Sequence, residues 1–218
     1  PRVANQQPAG TFAMPVSTLR FEPLVDIQGR NLAEGQADIT LRGGTFENTG
    51  FQVGVVTVGD PQTGHYLAEL PVSPSMLGAP EIVTGADLAM GATNATVGSI
   101  LHTWRPIRTT GFASVGIGED RLRRGEWYQA YARPTLGTAS RFGGDVSVAH
   151  SRSNGSLPFG EHRFDRVNGR VQLVLGAAQT DIFAGYQAKF FGWPNLYTPF
   201  NSNETENLQT LLFWLTTG

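Results

Sequence analysis

The chain has 218 residues, enough for one or two domains with a sizeable buried core. Sixteen Lys+Arg against eighteen Asp+Glu leave a net charge of −2, which gives no argument for nucleic acid or for a strongly acidic substrate as partner. The absence of cysteine excludes disulfides, thiolate catalysis and cysteine-ligated zinc or iron–sulfur sites.

Only 16% of residues are charged and 27 are glycine, a composition suited to many turns and close backbone approaches. No segment approaches the ~18 consecutive apolar residues of a membrane-spanning helix; the densest stretches, Val171–Gly176 and Leu211–Leu215, are strand-sized. The chain starts at Pro1 without an initiator methionine or signal peptide and stops just after an apolar strand, so we expect a piece of a longer protein.

Residues 1–20 are polar and proline-containing and read as a loosely ordered or linking segment. Phe21–Gln28 and Ala37–Arg42 read as strands, the second ended by the Gly43-Gly44 turn. Phe51–Val58 is a third, followed by a turn cluster over Gly59–Gly64. Leu67–Val72 is extended. Ser73–Leu77 has the signature of a short helix, with Ser73 as cap and Pro74 at its first position. Glu81–Val83 and Val97–Trp104 are further strands joined by a Gly/Ala/Asn loop. Residues 21–107 therefore form a mixed α/β domain with few helical residues.

Beyond Arg105-Pro106 the texture changes to period-two alternation, with strands expected near 110–118, 126–135, 143–151, 163–175, 180–191 and 206–217. In the fourth, Arg166, Asn168, Arg170 and Gln172 share one face, and Val167, Val171, Leu173 and Leu175 the other. The fifth sets Asp181, Gln187 and Lys189 against Ile182, Ala184, Tyr186, Ala188 and Phe190. Runs of this length exceed the usual soluble strand and match a tilted transmembrane strand. Aromatics near strand ends (Trp127, Tyr128, Phe191, Trp193, Tyr197) suggest an interfacial girdle. Links alternate between short (Ala177–Gln179) and long (Gly192–Thr205), as in a barrel facing two compartments.

Asp38–Asn48, then Gly59–His65, then Leu70-Pro71-Val72 follow one another in an order that resembles the plug domain of TonB-dependent outer-membrane receptors. Pro80–Gly85 and Gly91–Ile100 stand where that family has its Val-Glu-Val-x-x-Gly-Pro segment and its closing Gly-rich run. The resemblance covers residues 20–107 by motif and the remainder by strand texture. It implies a linker over 1–20, a plug domain over 21–107, and the first six or so strands of a truncated outer-membrane β-barrel over 108–218; the whole is mostly β.

The function so implied is energised uptake of a scarce nutrient across the bacterial outer membrane, with a siderophore–metal chelate, corrinoid or carbohydrate as small ligand. The implied partners are a TonB-type energy-transducing protein and outer-membrane lipid, although residues 1–20 contain no recognisable TonB box. Arg42 and Glu81 match the family's charged plug–barrel contacts. Phe46, Glu47, Asn48, Asp60, Gln62, His65 and Tyr66 match apical loops that face the ligand. The Asp60–Gly64 stretch is also a favoured turn in its own right.

His65 has no second ligand at metal-binding spacing, so no metal site and no cofactor is expected. Gly-x-Ser-x-Gly, Walker and dinucleotide fingerprints are absent from the sequence, so no enzyme is expected. The alternation alone leaves one alternative open. In a soluble β-rich binding or adhesion module, Val171, Leu173, Leu175, Ile182, Tyr186 and Phe190 would pack against each other in a core.

Overall fold

The computed structural model describes residues 14–29, 37–61, 68–91, 95–134, 140–194 and 203–218. The chain divides into two compact units, Pro1–Arg105 and Pro106–Gly218.

In the first unit β1 (Val25–Gly29) and β2 (Ala37–Leu41) pair antiparallel. Strands β3 (Thr49–Val53), β4 (Val56–Thr57), β5 (Glu81–Val83) and β6 (Gly98–His102) form a sheet of order β4-β3-β6-β5. The central pair, β3 with β6, is parallel, and its neighbours are antiparallel. Parallel pairing at the centre of a sheet favours burial on both faces, and every residue of β3 is buried. Ile39, Leu41, Phe51, Val53, Leu70, Val72, Met76, Ile82 and Ile100 form the core, each no more than 2% exposed.

The sequence predicts one strand over Phe51–Val58, but the structure has a hairpin. Gly54 adopts a left-handed φ of 59°, open to glycine without a Cβ penalty, and its N–H donates to the His102 carbonyl at 2.7 Å. The mixed α/β expectation is corrected too. All helical turns among the described residues are 3₁₀: Pro15–Leu19, Phe46–Asn48, Pro74–Met76 and Gly85–Met90. Segments this short, set between prolines and glycines, close i→i+3 bonds without room to propagate an α-helix. The Ser73 cap is present, its hydroxyl accepting from the Ser75 N–H at 3.3 Å. Met14, Val16 and Leu19 are buried around the first 3₁₀ turn, so the described part of the stretch read as a linker is packed.

The second unit is one antiparallel sheet of six strands in sequential order: β7 (Thr110–Ile117), β8 (Arg123–Pro134), β9 (Ser140–Ser153), β10 (His162–Leu175), β11 (Ala178–Gly192) and β12 (Thr205–Thr217). All six expected strands are found, with β8 and β9 beginning three residues earlier than read. Pairing is continuous and free of slips from β7 to β12. The sheet is an open meander rather than a closed barrel, with β7 and β12 at its edges. No helix among the described residues is long and apolar enough to cross a membrane, a statement that does not bear on strands.

Candidate functional site

The two faces of the six-stranded sheet carry opposite chemistry, in the reverse sense to a soluble sheet. In β10, His162, Phe164, Arg166, Asn168, Arg170 and Gln172 are buried, whereas Val167, Val171, Leu173 and Leu175 are exposed. In β11, Asp181, Gln187 and Lys189 are buried while Ile182 and Tyr186 are exposed. Register extends this pattern across strands. Trp127, Val148, Val167, Tyr186 and Leu211 form one cross-strand row, and each is exposed; Leu211 reaches 80%. Tyr131, Val171, Ile182 and Leu215 fall in a parallel row completed by Gly144. A contiguous apolar surface of this extent marks a face built for a non-aqueous neighbour.

The buried face is held by a connected hydrogen-bond network. Arg170 lies directly opposite Asp145 and grips it through two points: Nε donates to Oδ1 at 3.1 Å and Nη2 to Oδ2 at 2.8 Å. The Tyr128 hydroxyl donates to the same carboxylate at 3.0 Å. Arg170 Nη1 also lies 3.6 Å from Asp181 Oδ1. Asp181 accepts in turn from Gln172 at 2.8 Å and Gln179 at 2.6 Å, and Gln172 Oε1 accepts from the Ile107 backbone N–H at 3.1 Å. Side chains of Arg170 and Asp145 have no solvent exposure. Taking such charges out of water costs several kcal/mol each unless they are paired and hydrogen-bonded. Here the Asp145 carboxylate is held by three donors, and Arg170 Nη1, which makes no hydrogen bond among the described residues, has the Asp181 carboxylate 3.6 Å away.

Toward the other end of the same face lie two further buried cations, Arg166 and Lys189. The Arg166 guanidinium sits 5.3 Å from the Phe164 ring centroid, and Lys189 Nζ 5.8 Å from that of Phe191. Both distances fit cation–π contact. The Ser151 hydroxyl and His162 Nε2 are 2.9 Å apart.

Arg42 is exposed in the turn after β2, with a φ of 52°, and Glu81 opens β5 half-buried. Among the described residues no ion pair joins the two. Phe46, Glu47 and Asn48 form one 3₁₀ turn, Asn48 Nδ2 donating to Thr45 Oγ1 at 3.1 Å. Asp60 is half-buried. Gln62, His65 and Tyr66 lie outside the described residues, so the expected apical cluster can be followed only through its first four members. No group of three or more His, Asp or Glu that could hold a metal occurs among the described residues.

The aromatic girdle is corrected. Trp127 faces outward, but Tyr128 and Phe191 are buried on the polar face, because they fall on the opposite parity of their strands. Phe191 packs on Trp193 at 5.8 Å, and Tyr197 lies outside the described residues. The Asp145–Arg170–Asp181 network was not singled out from sequence. Alternation places Arg170, Gln172 and Asp181 on one face, but only register shows which partner each one meets.

Comparison of the sequence with family models gives no match, and comparison with curated proteins gives none. Solved structures do share the fold. FpvA of P. aeruginosa, solved with heterologous pyoverdines bound, aligns with a TM-score of 0.66 at 13% identity, over 93% of this chain and 29% of its own. The ferric yersiniabactin uptake receptor FyuA from Yersinia pestis gives 0.58 at 15% identity, over 83% and 29%. The copper transporter OprC gives 0.58 at 12%, over 94% and 40%. The chain thus spans well under half the length of these receptors, and identity this low speaks for the fold alone. With its two-faced meander and its preceding mixed sheet, the chain resembles in fold the TonB-dependent receptors to which these proteins belong.

Proposed function

We propose that the chain is the plug and the first barrel strands of a bacterial outer-membrane receptor for energised uptake of a scarce nutrient. The observation that carries this reading is the exposed apolar face of the sheet, set back to back with a buried charged one. Hydrocarbon satisfies the first, and a polar lumen suits the second. A soluble binding module would turn Val171, Leu173, Ile182 and Tyr186 into a core, whereas here they are 37–48% exposed together with Val167.

In this reading the first unit acts as the gate. Arg42 and Glu81 serve as its contacts to the barrel wall. Phe46, Glu47, Asn48 and Asp60, with Gln62, His65 and Tyr66, face the ligand. The ligand is a small metal complex, the class that the similar receptors named for pyoverdine and ferric yersiniabactin support. A TonB-type protein supplies the pull, and no catalytic step is required.

The test is expression of the complete gene followed by membrane fractionation. The product is expected in the outer membrane, folded only in detergent or lipid. Recovery of folded, monomeric protein from the soluble periplasm in plain buffer would sink the reading.

A further inference from the structure

The exposed face changes character at one end. Arg123, Arg152 and Arg163 stand in direct cross-strand register on β8, β9 and β10, and all three are exposed. One row further along the face come Gly125, His150, Asp165, Ala188 and Gln209, and the next is the apolar row from Trp127 to Leu211. Four residues of strand separate the arginines from that apolar row, about 13 Å along the strand and about 10 Å in depth at the usual tilt. Over a comparable distance, hydrocarbon gives way to lipid headgroups. The connections at this end, 118–122, 154–161 and 193–204, include the long ones, whereas the opposite end has the Gly176-Ala177 turn. Long loops mark the outer side of such barrels.

Like charges in direct register repel. Arg163 is compensated, its Nε 2.9 Å from Asp165 Oδ2, and His150 Nδ1 lies 2.7 Å from the other oxygen of that carboxylate. No ion pair is found for Arg123 or Arg152 among the described residues. Of the other carboxylates of this end, Glu119, Asp120, Glu161 and Glu204 belong to the connections, while Glu126 of β8 and Glu206 of β12 fall on the opposite parity of their strands, toward the polar face. Beside the row is a hollow of about 650 Å³ lined by Arg163, Asp165, Tyr186, Ala188, Lys189, Phe190, Asn207 and Gln209, in which the Asp165 carboxylate is already engaged by Arg163 and His150. Further toward the short-turn end a shallow trough of about 550 Å³ runs over Gly144 and Gly169, between Tyr131, Val171 and Ile182.

We propose that this surface seats one phosphorylated glycolipid of the outer leaflet. Guanidinium groups bind phosphate through paired hydrogen bonds, so Arg123 and Arg152 take the phosphate and relieve their mutual repulsion. The amides of Asn207 and Gln209 take sugar hydroxyls in the hollow, with Tyr186 and Phe190 as apolar walls. An acyl chain follows the trough, where two glycines leave room for it. The inference rests on the outer-membrane reading above.

The experiment uses the full-length protein in non-ionic detergent, incubated separately with lipid A, phosphatidylglycerol and phosphatidylcholine, with bound lipid read by native mass spectrometry. Lipid A is expected to be retained above both others. The pair Arg123→Gln with Arg152→Gln is expected to lower its retention at least about tenfold. Arg133→Gln, an exposed arginine at the opposite end of β8, leaves retention unchanged. Undiminished retention in the double variant, an equal loss in Arg133→Gln, phosphatidylglycerol held as tightly as lipid A, or release of lipid A by inorganic phosphate would each overturn the proposal. A protein that stays folded without detergent before any lipid is added overturns the outer-membrane reading instead, so the two failures are told apart.

Discussion

Arg170 and Asp145 meet across β9 and β10 as a two-point ion pair, both side chains without solvent exposure. A pair in this setting is costly to break from one side, because the remaining charge stays buried. We expect Asp145→Ala or Arg170→Met alone to destabilise the folded protein by about 3–5 kcal/mol. The double substitution should cost less than the sum. Thermal unfolding in detergent across the four-member cycle gives the coupling directly, and simple additivity would contradict a connected network.

The exposed face predicts a depth dependence. Val171→Arg, in the middle of the apolar rows, should cost about 2–4 kcal/mol when folding is measured into a bilayer, whereas Gln209→Arg, at the polar margin, should cost about 0–1 kcal/mol. Equal penalties at the two positions would argue against a membrane boundary between them.

His102 ends β6 with its ring buried, and neither ring nitrogen finds a hydrogen-bond partner among the described residues. Burial pushes its pKa down from 6.5 to about 4, because a charged imidazolium cannot be solvated there. Between pH 6.5 and 4 the unfolded chain therefore binds a proton that the folded chain refuses. The stability of the first unit should be complete above pH 6.5 and fall through that window, by up to about 3 kcal/mol. Amide exchange protection at Ile100 and Leu101 should follow this curve, and His102→Leu should flatten it.

Much of this architecture is legible in the sequence, and the exceptions have physical causes. The six long strands are readable because period two persists over spans such as His162–Leu175, and each strand's two faces sort cleanly into Arg/Asn/Gln and Val/Leu. The first unit is harder. Its central strand Thr49–Val53 is buried on both faces and so shows no alternation, and the turn at Gly54 is hidden between valines that look like one continuous strand. Pairings such as Tyr128–Asp145–Arg170 lie beyond single-strand reading, since they depend on the register of three chain segments. Parity also decides the aromatics: Trp127 and Tyr128 are sequence neighbours on opposite faces.

The turn between β10 and β11 depends on one glycine. Gly176 has a φ of 62°, and a Cβ there would meet nothing within 4 Å. The cost of Gly176→Val is therefore conformational rather than steric, about 1–2 kcal/mol. Gly176→Asn should recover most of it, because asparagine tolerates the left-handed region. Folding rate and melting temperature in detergent test both variants. An equal loss for valine and asparagine would mean that something other than backbone conformation is at stake.

The contrast between the sheet's faces also governs how its strands find their partners. If β10 slipped by one residue, Arg166, Arg170 and Gln172 would turn toward the apolar side and the valines toward the charged one, undoing the whole sorting at once. A slip of two preserves the faces but sets Arg170 against Gly143 or Ser147 in place of Asp145. The ion pair thus works as an alignment pin, rejecting the misalignment that hydrophobic sorting alone would let through.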